Sequence, residues 1–378
     1  MSRSWVEIDL AAVRHNIGAL RRRAGGVELC AVVKADGYGH GAVEIARTAI
    51  EAGATAVAVA QVAEGVILRK NGIDEPIWVL SEPERCEYPT AFRYRLEPAV
   101  YSRGALDAAE QAAEHHLLVE GEVRPTVHLK IDSGMGRVGA DPDDAVELAA
   151  MVTNSPHLEL GSVWTHFSCA DEPDGGDGYT KRQIACYDDV LAQLTNAGIE
   201  PGLRHAANSA GTIAFPLAHY DFVRCGIAIY GMPPSCYLAD AIGLEPALSW
   251  HSRVGFVKRA RAGAPVSYGR RGRVESDTTL ASIPVGYADG YRRGLWNSRV
   301  GVLIGGKRRP IVGVVTMDQM VVDCGDDTVA VGDEVVLLGR QGNEKITAEE
   351  LAAGLETINY EITCGISQRV ERRYQNRS

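Results

Sequence analysis

The sequence predicts an α/β protein: an N-terminal (β/α)8 barrel of the TIM type followed by a mostly-β C-terminal domain. Two observations carry that expectation. Through the first 230 residues or so, short β-branched runs alternate with amphipathic stretches, the pattern of βαβ units and a parallel sheet. After Ile229 the texture changes to closely spaced β-runs, with turn signals every eight to twelve residues or so.

The expected barrel strands lie at 29–34, 56–61, 76–81, 97–101, 124–131, 158–167, 203–207 and 222–229. The stretches between them read as helices for local reasons. Asp141-Pro142 sets a capping side chain before a proline at the first helical position, and Val146, Ala149 and Val152 follow at helical spacing. Gly53 and Gly198 stand where helices should end. Eight such pairs match a closed barrel, whose sites gather at the C-terminal ends of the strands; an open doubly wound sheet is the alternative. Gly231-Met-Pro-Pro-Ser235 through Glu245-Pro246 reads as a linker. It divides a cofactor-binding barrel, 1–235, from a β domain, 236–378, with the first few residues able to pack against the second domain. In that domain 279–285, 311–315 and 334–338 read as strands, and the capping box Thr347-Ala-Glu-Glu350 opens its one clear helix.

A chain of 378 residues with 46% hydrophobic residues builds its own core and holds two domains, so disorder and disulfide scaffolds are excluded. The 39 Lys+Arg against 49 Asp+Glu give a net charge of −10, which disfavours nucleic acid or an anionic membrane as the main partner. The eight cysteines are scattered without a C-x-x-C pair and read as reduced thiols. The charged N-terminus lacks a signal-peptide core, and the longest apolar candidate for a span, 52–63, is interrupted by Gly, Thr and Gln. The expected location is the cytoplasm.

The densest chemical signal is Ala31-Val-Val-Lys34-Ala-Asp-Gly37-Tyr38-Gly39-His40-Gly41. A lysine ending an apolar strand is costly unless its charge is paired or lost, and burial favours the neutral amine that forms Schiff bases. A lysine snorkelling at a barrel mouth fits the same residues. The later strand ends add His128-Leu-Lys130-Ile-Asp132 with Arg137, Trp164-Thr-His166-Phe, His205-Ala-Ala-Asn208-Ser209-Ala-Gly211 and Arg224-Cys-Gly226-Ile227. Each has a bland alternative: a core histidine at His166, a surface cation at Arg137, a helix cap at Ser209. Their convergence on one rim is far less ordinary. Asn208, Ser209, Gly211, Gly226 and Ile227 supply amide, hydroxyl and open backbone where barrels commonly hold phosphate. A Schiff-base lysine facing a phosphate site fits pyridoxal 5'-phosphate.

At this point the chain resembles the bacterial alanine racemases, fold-type III enzymes that use pyridoxal phosphate. The resemblance runs from Glu7-Ile-Asp-Leu10 to Ile366-Ser-Gln-Arg369-Val370. It rests on the Lys34 motif, residues 130–139, Thr165-His-Phe167, Val266-Ser-Tyr268-Gly269, Gly286-Tyr-Ala-Asp-Gly290 and Thr316-Met-Asp-Gln319. It implies racemisation of L- and D-alanine by a cytoplasmic homodimer with shared active sites, supplying D-alanine for cell-wall peptidoglycan. Lys34 would bind the cofactor and serve as one base; Tyr268, delivered by the partner subunit, would be the other. A tyrosine of pKa near 10 is a poor base at neutral pH, so cations must favour its phenolate, and His166, Arg137 and Arg224 match the family's positive cluster. Arg224 also matches the residue facing the pyridine nitrogen. A guanidinium cannot accept that nitrogen's proton, so the ring stays unprotonated and transamination is suppressed.

By the same resemblance Tyr38, Asn208, Ser209, Gly226, Ile227 and Tyr360 hold the cofactor with His166. Met317 and Asp318, from the partner, and Tyr287 lie at the substrate carboxylate and entrance, together with Arg137. Lys130 matches a lysine that is often carbamylated; an ordinary lysine paired with Asp132 stands beside that reading. Thr316 departs from the family, where many relatives carry cysteine. The crowding of Tyr38, Tyr268, Met317 and Tyr360 points to a small substrate, alanine first and serine behind it.

Three other readings fit less well. A basic amino-acid decarboxylase would place an acid, not Arg224, at the pyridine nitrogen. A non-catalytic cofactor-binding module would need only the barrel. A metal-dependent amidohydrolase would need an H-x-H pair after the first strand, and His166 with Cys169 does not make a metal site; no metal is expected.

Overall fold

The structure, a computed structural model, describes residues 3–120 and 123–377. Residues 1, 2 and 378, at the ends of the two expected domain ranges, lie outside the described residues. The chain forms two compact units.

One unit, 12–37 and 42–245, holds a closed barrel of eight parallel strands: Glu28–Val32, Ala56–Val59, Ile77–Val79, Leu96–Val100, Thr126–Lys130, Glu159–Trp164, Leu203–His205 and Phe222–Cys225. The first and last close the ring, with Glu28 opposite Phe222 and Cys30 opposite Arg224. Burial on both faces explains why the strands read as near-continuous Val, Ala and Leu runs. Seven of the eight strands are shorter than their sequence signals, and the fourth keeps its length one residue earlier, because the polar residues after each apolar run leave the ladder to form the rim.

The connecting helices form as their local chemistry suggests. Asp141 accepts from the Asp143 N–H at 3.0 Å and opens a 3-10 turn, Pro142–Asp144, that leads into the helix Ala145–Thr153. Gly53 and Gly198 take positive φ at helix ends. The eighth strand, in contrast, runs into a short 3-10 turn, Ile227–Tyr230. The helix Leu10–Arg23, ahead of the first strand, is tied there instead: Asn16 Nδ2 donates to the Ile229 and Glu245 carbonyls at 3.2 and 2.8 Å.

The other unit comprises residues up to 11, 38–41 and those from 246 onward. Its main sheet places Ser4–Asp9 between Leu248–Arg253, antiparallel, and Glu371–Gln375, parallel. A second sheet joins Phe256–Ala260, Thr278–Ile283 and Met320–Asp323. Ala260, Val266, Val274 and Leu280 form a small core beside it. The helix capped by Thr347, which accepts from the Glu350 N–H at 3.2 Å, is followed by a second short helix, Asn359–Cys364, that the sequence did not signal. Among the described residues no helix is long and apolar enough to cross a membrane.

Candidate active site

The first strand ends at Val32, two residues before Lys34, and the expected glycine-rich turn takes an unusual form. Ala35, Asp36, Gly37 and Tyr38 all adopt left-handed backbone, with φ of 53°, 53°, 62° and 52°. Left-handed conformation costs about 1–2 kcal/mol at each residue other than glycine. Local bonds hold it: Gly37 N–H to the Val33 carbonyl at 2.9 Å, Ala35 N–H to Glu64 Oε1 at 2.6 Å, and Ala42 N–H to Asp36 Oδ1 at 3.0 Å. The turn follows directly on the half-buried Lys34 at the barrel's C-terminal rim.

Four further cations or potential cations share that rim. Lys130 ends the fifth strand, 4% exposed, with Nζ 4.8 Å from the Trp164 ring centre. Burial, then the charges of Arg137 and Arg224, pull its pKa down to about 8, and Lys34 adds to the effect. Asp132 spends its carboxylate on the loop that carries Arg137, accepting from the N–H groups of Gly134, Met135 and Gly136 at 2.8–3.1 Å. Ser133 and Thr165, 2.7 Å apart, tie that loop to the end of the sixth strand.

His166 follows the same strand. Burial, and the charges of Arg224, Lys130, Arg137 and Lys34, hold it well below the usual histidine range. His166 is therefore held neutral, by burial first and then by the four cations around it.

Arg224, 3% exposed on the eighth strand, is bound on nearly every side. Its Nη1 donates to His205 Nδ1 at 2.7 Å; its Nη2 donates to the Thr165 and Ala206 carbonyls at 2.8 and 3.1 Å. Its guanidinium carbon is 4.6 Å from the Trp164 ring centre. Burial lowers its pKa to about 10, which leaves it a cation at neutral pH.

Next to it, Ser209 Oγ accepts from the N–H groups of Gly226 and Ala228 at 2.9 and 3.4 Å and keeps its own O–H to donate. Asn208 caps the short turn Ser209–Ala214 through the Gly211 N–H, so its expected contact role is shared with a structural one. Ile227 is buried at 1% exposure beside them.

The remaining candidates lie in the other unit. Tyr38 and Tyr360 face each other with ring centres 6.1 Å apart, and burial, then Tyr360, push the Tyr38 hydroxyl well above the usual range, so it stays a neutral donor. Gly39 is glycine by necessity: it holds φ of 84°, and a Cβ there would strike the Thr363 carbonyl. Tyr268 sits at the tip of the hairpin Pro265–Val266 and Gly272–Arg273, 75% exposed. It borders a cavity of about 380 Å³ that Thr316, Gln319 and Met320 also line.

Two loops that carry Tyr287, Met317 and Asp318 are stapled together, with Tyr287 N–H on the Thr316 carbonyl and Ala288 N–H on the Met317 carbonyl, both at 3.0 Å. Arg369 joins Asp289 and Asp318 at 2.7 Å each. Thr316 turns its Oγ1 back to the Gln319 carbonyl at 2.8 Å, a bond that cysteine would make weakly.

Sequence reasoning gave no role to Trp164, which lies against both Lys130 and Arg224, or to His205, Arg369 and Asp289. The signal for the barrel pair was available: residues two positions apart on a strand share a face, so Ser162 and Trp164 point into the same barrel interior as His128 and Lys130.

Family models described as the alanine racemase N-terminal and C-terminal domains match residues 8–234 and 247–374. The chain is 49% identical over 375 residues to the alanine racemase of Symbiobacterium thermophilum, covering 99% of this chain and 97% of that one. The crystal structure of alanine racemase from D-cycloserine-producing Streptomyces lavendulae superposes with a TM-score of 0.93 at 40% identity, covering 100% and 98% of the two chains. A Bacillus anthracis alanine racemase with bound L-Ala-P superposes with a TM-score of 0.92 at 37% identity, covering 100% and 96%.

Proposed function

The chain belongs to the alanine racemase family, and on that premise we propose that it interconverts L- and D-alanine with pyridoxal phosphate, using Lys34 and the partner subunit's Tyr268 as its two bases. The observation that carries this reading is the grouping of Lys34, Lys130, Arg137 and Arg224 around a neutral His166 on the rim where the left-handed turn follows Lys34.

The residues fit the cofactor by their chemistry. Ser209, set by the Gly226 N–H, and the backbone N–H of Ile227 are donors for a phosphate monoester, with Asn208 securing the turn; the resemblance adds the neutral phenol of Tyr38 and the hydroxyl of Tyr360. Lys34 is the amine for the aldehyde. Arg224 has only donors to offer a ring nitrogen, and its bonds to His205, Thr165 and Ala206 leave it no freedom to be replaced there by water. When bound, pyridoxal phosphate supplies a conjugated electron sink for the charge left at the α-carbon.

The protein residues move the proton. Lys34 Nζ takes it from one face of the α-carbon while the tyrosine hydroxyl gives one to the other face, and the roles exchange in the reverse direction. Arg137, held by the Asp132 loop, orients the substrate carboxylate, with the partner subunit's Met317 and the partner subunit's Asp318 at the entrance and Tyr287 nearby. A shared dimeric site is supported by the exposure of Tyr268, Met317 and Tyr287, at 75%, 54% and 41%, large side chains that a lone chain leaves in water. We assign the enzyme to the cytoplasm and to the supply of D-alanine for peptidoglycan, with serine as the second substrate.

Loss of α-deuterium to solvent, measured over a panel of L- and D-amino acids with the holoenzyme, tests this reading. Exchange of both alanine enantiomers without carbon dioxide release is expected. Release of carbon dioxide, or no exchange with any member, would overturn it.

A further inference from the structure

Behind Arg224 a line of hydrogen bonds descends through the barrel interior. Arg224 Nη1 meets His205 Nδ1 at 2.7 Å; His205 Nε2 meets Ser162 Oγ at 2.9 Å; Ser162 Oγ meets His128 Nδ1 at 2.7 Å; and His128 Nε2 meets Glu97 Oε2 at 3.0 Å. Ser162, His205 and His128 are 0%, 1% and 4% exposed. Trp78 and Trp164 flank His205, stacked at 4.8 and 5.6 Å between ring centres, and Trp78 also packs on His128 at 5.1 Å. Glu97, the second residue of its strand, ends the line at the opposite end of the barrel from the rim, beside a cavity of about 530 Å³.

With both imidazoles neutral, the two ends fix the direction of every bond. Arg224 can only donate, so His205 must present the bare Nδ1 and carry its proton on Nε2. Ser162 accepts that proton's bond and has one hydrogen left, which goes to His128 Nδ1. His128 therefore carries its proton on Nε2 and donates to Glu97, which as a carboxylate can only accept. A neutral imidazole left to itself can exchange its proton between the two nitrogens; here a single reversal anywhere in the line sets two donors or two lone pairs against each other in a dry interior.

We propose that Ser162, His128 and Glu97 are positioning residues of the racemase: they anchor the Nε2–H of His205 and with it the orientation of the ring, so that its Nδ1 lone pair holds the Arg224 guanidinium in the plane it needs at the cofactor's ring nitrogen. None of the three touches substrate or cofactor. They act through His205 on Arg224, and the inference rests on the proposed place of Arg224 in that reaction.

Three variants break the line at different points: Ser162→Ala, His128→Phe, which keeps the ring against Trp78, and Glu97→Leu at the partly exposed end, where truncation leaves the barrel interior untouched. His128→Gln is the rescue, because an amide accepts from Ser162 and donates to Glu97 as the imidazole does. The histidine tautomers are read by 15N NMR on the holoenzyme labelled at histidine, with His205 assigned by its loss in His205→Gln, alongside kcat and KM for both enantiomers.

The expected result is one Nε2–H signal for His205 with the same shift in the wild type and in His128→Gln, and a displaced or broadened Nε2–H signal in the three breaking variants, where that proton loses its anchored acceptor. In those three kcat falls about tenfold, the low end of what losing a supporting partner costs a site, while KM changes less than about twofold, a split expected when positioning rather than binding is lost. A wild-type His205 signal in the breaking variants overturns the proposal, as does a kcat loss that His128→Gln does not rescue. Failure of the underlying reading is separate, since it shows as absent racemisation in the wild type, whereas failure of the relay shows only in the variants.

Discussion

Lys130 should take up carbon dioxide as a carbamate, and the structure sets how readily. Its amine is pulled from 10.5 to about 8 by burial first and by Arg137 and Arg224 next. At pH 7.5 about a quarter of such amines are neutral, against about one in a thousand for an ordinary lysine, so the reactive form is enriched some two hundredfold or more. The same shift means that holding Lys130 charged costs the folded protein about 3 kcal/mol. The folded pKa lies below the unfolded one, so the unfolded chain binds the extra proton between pH 8 and 10.5, and stability from this group rises with pH across that window.

Carbamylation relieves the cost at lower pH by joining the amine to carbon dioxide with release of a proton, turning a cation among cations into an anion facing Arg137. Protein equilibrated with 13C-enriched carbon dioxide at constant pressure should show a carbamate carbonyl resonance, distinct from bicarbonate, that grows from pH 7 to 8.5 and vanishes in Lys130→Arg. Lys130→Met, with no charge in either form, should raise KM for alanine several-fold by freeing Arg137. The reasoning is refuted if the wild-type resonance is missing or if it survives in Lys130→Arg.

Three further outcomes are expected. Borohydride reduction of the holoenzyme should fix a pyridoxyl group on the peptide containing Lys34, and labelling of any other lysine would remove Lys34 from its role. Arg224→Glu should slow racemisation and raise pyruvate formation from alanine, because a carboxylate allows the ring nitrogen to keep a proton; slower racemisation with no added pyruvate would leave Arg224 a structural part only. Lys34→Ala and Tyr268→Phe homodimers should each be nearly inactive, yet after random reassortment half the dimers carry one intact site, so activity should return to roughly a quarter of wild type. Subunits that exchange, shown by tags, without recovery of activity would assign both bases to one chain.

Sequence alone was enough for the barrel and for most of its rim, because both are local signals. A strand buried on both faces is legible as a short continuous apolar run, and in a barrel the polar residue that ends each apolar run can lie only at the C-terminal rim, so Lys34, Lys130, His166 and Arg224 could be grouped without coordinates. The residues following Arg224 and Asn208 were legible for the same reason. Tyr268, Met317, Asp318 and Tyr360 were not; only resemblance singled them out, since nothing in a β-rich sequence says which hairpin tip carries chemistry.

What the tertiary structure alone decided was charge and handedness. The left-handed turn from Ala35 to Tyr38 opposes the preference of three of its four residues and persists because Glu64 and Val33 bond its backbone and the Asp36 side chain ties it to the Ala42 N–H. His166 is neutral and the Lys130 amine is pulled down to about 8 because each is buried among cations contributed by other strands, a sum that no stretch of sequence contains. The polarity of the line from Arg224 to Glu97 has the same origin. His128, Ser162 and His205 come from three strands, and a histidine's tautomer is set by what its two nitrogens meet across the barrel rather than by its neighbours along the chain.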